Sequence, residues 1–272
     1  MTSGKAPLKT QLCAVKIPSR KNQDTTAREI EVLKCFGLKA GPLAQRFPQF
    51  IDAVYVEEPL SSCRWLATTA IPGFNLEQLI EATGPDPVPN ELVMHIYLQL
   101  GEAIRFMHDM ELAHRDLHPG NIMLDPSKQD VPGFPNVVVI DFGSVKDEAR
   151  REELVEERKR FYYVVSQLAM MYRKCRPVHH WASNVKDCAC DPFWVDFVKV
   201  LNEPKPFLYP QDIVMGHVEF QSRFGARAVA IRDSVKPDTR YQIAKLIGKA
   251  MQSVKGVTEE EIRKSLVDAG FI

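Results

Sequence analysis

The spacing of apolar positions changes about a quarter of the way along the chain. Residues 12–18, LCAVKIP, alternate apolar and polar positions and end at Pro18, which predicts a strand. Residues 24–37, DTTAREIEVLKCFG, place Ile30, Leu33 and Phe36 at helical spacing. Asp24 and Thr25 stand at their start and Gly37 is the expected stop. The segments FIDAVYVEE and SSCRWLATTAIPG predict a strand pair that runs out at Pro72-Gly73.

Beyond Gly73 the helical period takes over. NLEQLIEATG predicts a short helix closed by Gly84, and residues 90–110 a long one with Leu92, Ile96, Leu100, Ala103 and Met107 on one stripe. A polar stretch follows, HRDLHPGN, then a short strand NIML, a loop rich in Pro, Gly and Asp, and an apolar strand VVVI running into DFGS. Further helices are expected at 147–174, about 191–201 and 239–254. The last segment, TEEEIRKSLVDAG, opens with a capping-box pattern from Thr258 to Glu261. The expected fold class is α+β and bilobal. A single domain has a small strand-rich lobe over 1–68, a hinge at 69–73 and a larger, mainly helical lobe over 74–272. A cleft between two lobes is where ligand sites tend to lie.

Composition narrows the classes of partner. The chain has 272 residues, 45% hydrophobic and 26% charged, which suits a globular protein with a real core. Lys and Arg number 35 and Asp and Glu number 35, so no electrostatic imbalance points to nucleic acid or an anionic membrane. No apolar run approaches the ~20 residues that span a bilayer, and the N-terminus lacks an apolar signal core. The six cysteines are scattered, so a reduced, cytoplasmic protein is expected. The tightest group, His179, His180, Cys188 and Cys190, has a Cys-x-Cys spacing without the gap usual in zinc sites, and these cysteines are expected to be small buried hydrophobes.

The candidate chemistry sits in HRDLHPGN and IDFG. Asp116 and Asn121 lie five apart on a loop, and Asp141 ends the second strand. If NIML and VVVI pair as a hairpin, Asn121 and Asp141 share its open end. An acid and an amide there can hold a hard cation together with phosphate oxygens, because Mg²⁺ takes one or two carboxylates plus phosphates. Asp116 is placed to accept or orient a hydroxyl proton. That division of labour suits phosphoryl transfer, in which positioning and charge neutralisation supply most of the catalysis.

HRD, four residues, Asn, then a strand-borne DFG downstream resembles the protein-kinase-like superfamily. The elements around it come in the same order. The resemblance implies a phosphotransferase using ATP and Mg²⁺, with Asp116 as base and Asn121 and Asp141 as metal ligands. AVK at 14–16 is similar to the family's third-strand lysine region, so Lys16 would hold the α- and β-phosphates. REIEVL at 28–33 is similar to the following helix, with Glu29 pairing Lys16 if the helix starts at Asp24; a capping box from Thr26 to Glu29 is the competing assignment. LATTAIPGFNL is similar to the gatekeeper and hinge, with Thr68 as gatekeeper and Ala70 and Ile71 offering backbone to adenine. His114 is expected to pack under the DFG turn. The resemblance covers about residues 10 to 175.

Three features depart from the family pattern. Fifteen residues precede Lys16 and hold one glycine, Gly4, too few for a glycine-rich phosphate loop on a strand pair. The chain is then a truncated piece, or covers nucleotide with an open roof, or binds it poorly. His118 stands two after Asp116 where serine/threonine protein kinases carry Lys, and DLHPGN is similar to the loop of aminoglycoside and choline phosphotransferases. His118 would donate to the transferring phosphoryl group. Finally, no Ala-Pro-Glu follows DFG. A charged, helix-prone run at 146–160 stands there, with Ser144 the only hydroxyl residue between Gly143 and Tyr162. The expected activity is transfer of the γ-phosphoryl of Mg-ATP to a protein hydroxyl. A small hydroxylated acceptor and a non-catalytic scaffold remain the alternatives.

Overall fold

The computed structural model describes residues 12–18, 23–55, 63–84, 86–170, 191–202 and 217–254, with the isolated positions 256 and 260. The His179, His180, Cys188 and Cys190 group and the capping-box residues Thr258 and Glu261 lie outside the described residues.

A small antiparallel sheet forms the N-terminal part. Its strands are β1 (Cys13–Lys16), β2 (Phe50–Tyr55) and β3 (Cys63–Thr69), in the order β1-β3-β2. The central strand β3 buries Cys63, Leu66 and Ala67. Against the sheet lies α1 (Gln23–Lys39), which buries the expected stripe Ile30, Leu33 and Phe36 together with Val32. Gly37 does not end this helix. Nothing lies within 4 Å of where its side chain would be, so it is a tolerated helical glycine, and the chain turns instead at Gly41, whose φ is +50°. A 3-10 turn at Gly41–Arg46 leads into β2.

The remainder is mainly helical around a second small sheet. That sheet has β4 (Phe74–Asn75), β5 (Ile122–Asp125) and β6 (Asn136–Val139), in the order β4-β5-β6. The β5–β6 hairpin has the register Ile122↔Val139, as the apolar runs imply, whereas the two-residue β4 has no sequence signal. Gly73 is required here, because a Cβ would run into the carbonyl oxygen of Leu124 on β5. Helix α2 (Leu76–Thr83) is capped reciprocally by Asn75 and Gln78 and closed at Gly84, φ +63°. Helix α3 (Asn90–Asp109) buries its predicted stripe and much more, so it is the axis of this part. Gln99 on α3 accepts the Val137 N–H at 2.8 Å, which satisfies a backbone donor of β6 from inside the core.

Two corrections fall in the C-terminal half. Helix α4 (Arg151–Met170) starts at Arg151 and not at 147, because Lys146 is held in an extended bridge with Ala113 and the chain becomes helical only at Arg151; positions 171–174 of the expected helix lie outside the described residues. Helix α5 (Pro192–Asn202) matches expectation, but α6 (His217–Asp233) was not foreseen. Its buried Phe220, Phe224 and Ala228 recur every four residues, and the two phenylalanines join an aromatic cluster with Tyr97, Tyr162 and Phe197. Each such ring contributes about 1.5–3 kcal/mol by burial. Helix α7 (Pro237–Ser253) closes the described chain. The architecture is thus mixed, with a small strand-rich N-terminal sheet and a larger helical part.

Candidate active site

The site is assembled where α1, β1 and the end of the β5–β6 hairpin meet. Lys16, the last residue of β1, donates from Nζ to Glu29 Oε2 and to Asp141 Oδ1, both at 2.7 Å. Glu29 reaches Lys16 because α1 begins at Gln23 and not at a cap on Thr26, so position 29 lies two turns into the helix. Its other oxygen accepts the Phe142 N–H at 3.3 Å, joining α1 to the DFG turn.

Electrostatics set the protonation of this triad. Partial burial opposes the charge of Lys16, but Glu29 and then Asp141 outweigh it, so the ammonium is held above its ordinary value. Burial raises the Glu29 carboxyl, and Lys16 offsets this only in part. Burial also disfavours the Asp141 carboxylate, but the Lys16 hydrogen bond and charge prevail and hold its pKa below the usual range.

Packing fixes the turn that carries Asp141. Its backbone is left-handed, φ 62° and ψ 75°, which costs about 1–3 kcal/mol for a non-glycine residue. The next residue, Phe142, is fully buried edge-on against Phe36 at 5.1 Å and tilted on His114 at 5.2 Å. His114 Nε2 lies 2.9 Å from the Ile140 carbonyl, and its Nδ1 accepts the Asp116 N–H at 3.3 Å. This pattern puts the ring proton on Nε2, and burial lowers the pKa, keeping the ring neutral.

The loop 114–121 brings Asp116, His118 and Asn121 together. Asn121 Nδ2 donates to the Asp116 carbonyl at 2.9 Å and to its carboxylate at 3.3 Å. The Asn121 carbonyl accepts the Ile140 N–H at 3.0 Å, which places Asn121 beside the Ile140–Asp141 link at the hairpin end. His118 Nδ1 accepts the Gly120 N–H at 3.1 Å, so its proton is on Nε2, 3.9 Å from Asp116 Oδ2. Glu77, in the first turn of α2, stands 3.5 Å from His118. A Cβ on Gly120 would strike the His118 ring, which explains glycine there.

The hinge residues are arranged differently. Thr68 is half-buried on β3 between Ala14 and Phe50. The Ala70 N–H is taken by the Leu12 carbonyl at 3.1 Å, and the Ile71 carbonyl receives the Gly73 N–H at 2.8 Å.

The donor set suits a hard cation. The amide nitrogen of Asn121 is spent on Asp116, which leaves its amide oxygen, and Asp141 supplies a carboxylate from the same end of the hairpin. Among the described residues no three His, Cys, Asp or Glu side chains converge as a metal cage of their own. Mg²⁺ held jointly with phosphates needs no such cage.

Two contacts were not anticipated. Arg28 on α1 makes a two-pronged ion pair with Asp147, at 2.8 and 2.7 Å. Glu157 on α4 accepts the Arg115 N–H at 2.9 Å. The available signal for Glu157 was its place one turn before Phe161 on the stripe that continues through Val164 and Leu168.

A family profile described as "protein kinase domain" matches residues 4–182, well over half of the chain. Among curated proteins, serine/threonine-protein kinase AfsK of Streptomyces coelicolor is 34% identical over 94 residues, 35% of this chain and 10% of that protein. MAP kinase-activated protein kinase 2 of Cricetulus longicaudatus is 26% identical over 130 residues, 46% of this chain and 38% of that protein. Probable serine/threonine-protein kinase kinY of Dictyostelium discoideum is 34% identical over 106 residues, 35% of this chain and 17% of that protein. The chain therefore spans well under two thirds of each of these relatives. It belongs to the protein kinase domain family. No helix among the described residues is long and apolar enough to cross a membrane.

Proposed function

We propose that the chain is a phosphotransferase that moves the γ-phosphoryl of ATP to a protein hydroxyl. The observation that carries this reading is the Lys16–Glu29–Asp141 triad, formed at 2.7 Å on both sides of the lysine. Glu29, only 7% exposed, orients Lys16, whose ammonium then meets the α- and β-phosphates. Asp116, with its carboxylate 49% exposed, accepts the proton of the acceptor hydroxyl. His118 Nε2–H is available to the transferring group. Thr68 bounds the adenine pocket, and the Ala70 carbonyl and Ile71 N–H give its edge hydrogen bonds. Asn121 and Asp141 would hold Mg²⁺, which supplies charge neutralisation on the β- and γ-phosphates. A cytoplasmic location accords with the composition.

A small hydroxylated acceptor is the second reading. It is favoured by His118 in place of a lysine, braced by the Gly120 N–H at 3.1 Å.

The test is thermal stabilisation of the chain by Mg-ATP. Stabilisation is expected for the parent and lost in Asp141→Ala. A parent that millimolar Mg-ATP leaves unchanged would overturn the assignment. Transfer to a generic protein, compared with transfer to amino-alcohols, then separates the two acceptor classes.

A further inference from the structure

The strand-rich part meets the helical part away from the hinge as well as at it. The 3-10 turn Gly41–Arg46, which follows α1, rests on α3 and on the loop 126–135 between β5 and β6. Arg46, the last residue of that turn, is buried, with 5% of its side chain exposed. The next residue, Phe47, packs on Phe36 of α1 at 4.3 Å and on Phe106 of α3 at 5.5 Å. Whatever holds Arg46 therefore bears on how α1 lies against α3.

Two carboxylates share this guanidinium. Nη2 donates to Asp130 Oδ2 at 2.8 Å and to Glu102 Oε2 at 3.4 Å. Asp130 is on the loop, where Gln45 Nε2 at 2.6 Å and Asn136 Nδ2 at 3.1 Å also donate to it. Glu102 is on α3. Nε and Nη1 of Arg46 are buried and have no hydrogen-bond partner among the described residues. An arginine held for good by one acid engages it with its fork, two N–H groups to two oxygens. Here one nitrogen serves both acids, and the rest of the fork is idle.

We propose that Arg46 is a two-seat pivot between the parts. It sits on Asp130 as described, moves to Glu102 when Asp130 is withdrawn, and the seat sets how the strand-rich part lies on the helical part. The exchange is feasible because both acids are in reach at once, so no step leaves a buried charge unpaired. Packed interfaces of this kind have discrete arrangements and do not deform continuously. The first seat also answers to α7, whose Arg240 Nη1 donates to the Pro132 carbonyl of the same loop at 3.2 Å. Lys16 and Thr68 belong to the strand-rich part and Asn121 and Asp141 to the helical part, so the seat governs how these groups face one another. The inference goes beyond the phosphotransferase reading and does not depend on it.

The test is amide exchange at Phe47 and in the last turns of α1, in Asp130→Asn, in Glu102→Gln and in the double variant. Asp130→Asn keeps an acceptor for Asn136 but gives up the charge that holds Arg46. With two seats, each single change is absorbed by the other acid. Each should speed exchange by no more than about threefold, and the double change by about thirtyfold or more, well beyond the product of the singles. A double variant that equals that product would overturn the proposal, because two acids acting on a fixed arginine contribute independently. If the double variant does not fold, a crystal structure of Asp130→Asn decides. The guanidinium should be two-pronged on Glu102, using Nη2 and one of its idle nitrogens. A guanidinium still at the loop, or turned to solvent, would defeat the pivot. Neither readout needs nucleotide. Two-seat behaviour in a chain that Mg-ATP leaves unchanged would sink the phosphotransferase reading and leave the pivot standing.

Discussion

Strand β1 and the β5–β6 hairpin each deliver residues to the same site, but they are held by different forces. All four residues of β1 are exposed, Val15 at 56%, whereas all four of β6 are buried. Packing cannot fix Lys16 on such a strand, so two carboxylates do, at 2.7 Å each. Asn121 and Asp141 need no such help, because the hairpin and Phe142 beneath them are rigid. The difference predicts that core damage on one side and charge damage on the other will separate in stability and in ligand binding.

The largest effect is expected at Phe142, fully buried against Phe36, Phe47 and His114. Phe142→Ala should cost about 3–5 kcal/mol in urea unfolding, while Val15→Ala should stay within about 0.5 kcal/mol. Equal losses would show that β1 is packed by something other than the described residues and would break the comparison.

Next comes Lys16. Lys16→Met leaves Glu29 buried without its cation, which should destabilise by about 1–3 kcal/mol. Replacing both, Lys16→Met with Glu29→Met, should recover most of that loss, since an apolar pair leaves nothing unsatisfied. Both variants should lose stabilisation by Mg-ATP. A pair variant no more stable than the single one would mean that Glu29 matters chiefly to the Phe142 N–H. pH gives a second check. The Asp141 carboxyl lies below its ordinary value, so its contribution is present above the usual carboxylate range and is lost as pH falls through the depressed pKa. Asp141→Asn should remove that acid limb.

The sequence was most legible where the chemistry is local. HRD, Asn121 and DFG lie within 30 residues, and the short β5–β6 hairpin between them pairs Ile122 with Val139 and so brings its two ends together. Glu29 was ambiguous because a capping box and a salt bridge use the same glutamate, and only the start of α1 at Gln23 decides between them. Gly37 misled because a helical glycine and a stop look alike until the turn at Gly41 is seen. Helix α6 carried a usable period of four in Phe220, Phe224 and Ala228, hidden among arginines and alanines. Glu157 sat in a run of like residues whose other members face solvent. Which backbone groups of Ala70 are open to a ligand was not legible, because the Ala70 N–H is engaged by Leu12, at the start of the chain, and only its carbonyl is left to offer. These are long-range facts, set by which elements meet.

The smallest effect expected is at the pair Arg28–Asp147, and it sharpens the comparison most. This pair ties α1, which carries Glu29, to the segment just after the DFG turn. Both side chains are substantially open to solvent, at 33% and 52% exposed, so the attraction is screened. A double-mutant cycle with Arg28→Met and Asp147→Asn should give a coupling of about 0.5–1 kcal/mol at low salt, near the upper end for exposed pairs because the contact is two-pronged. It should shrink by more than half in molar salt, where the Debye length is about 3 Å. Phe142→Ala, acting through packing, should be indifferent to the same salt. If α1 docks through this pair, Asp147→Asn should also weaken Mg-ATP stabilisation slightly at low salt and not at all at high salt. Loss as complete as in Asp141→Ala would instead make the 145–149 segment, and not the buried Glu29, the principal support of Lys16.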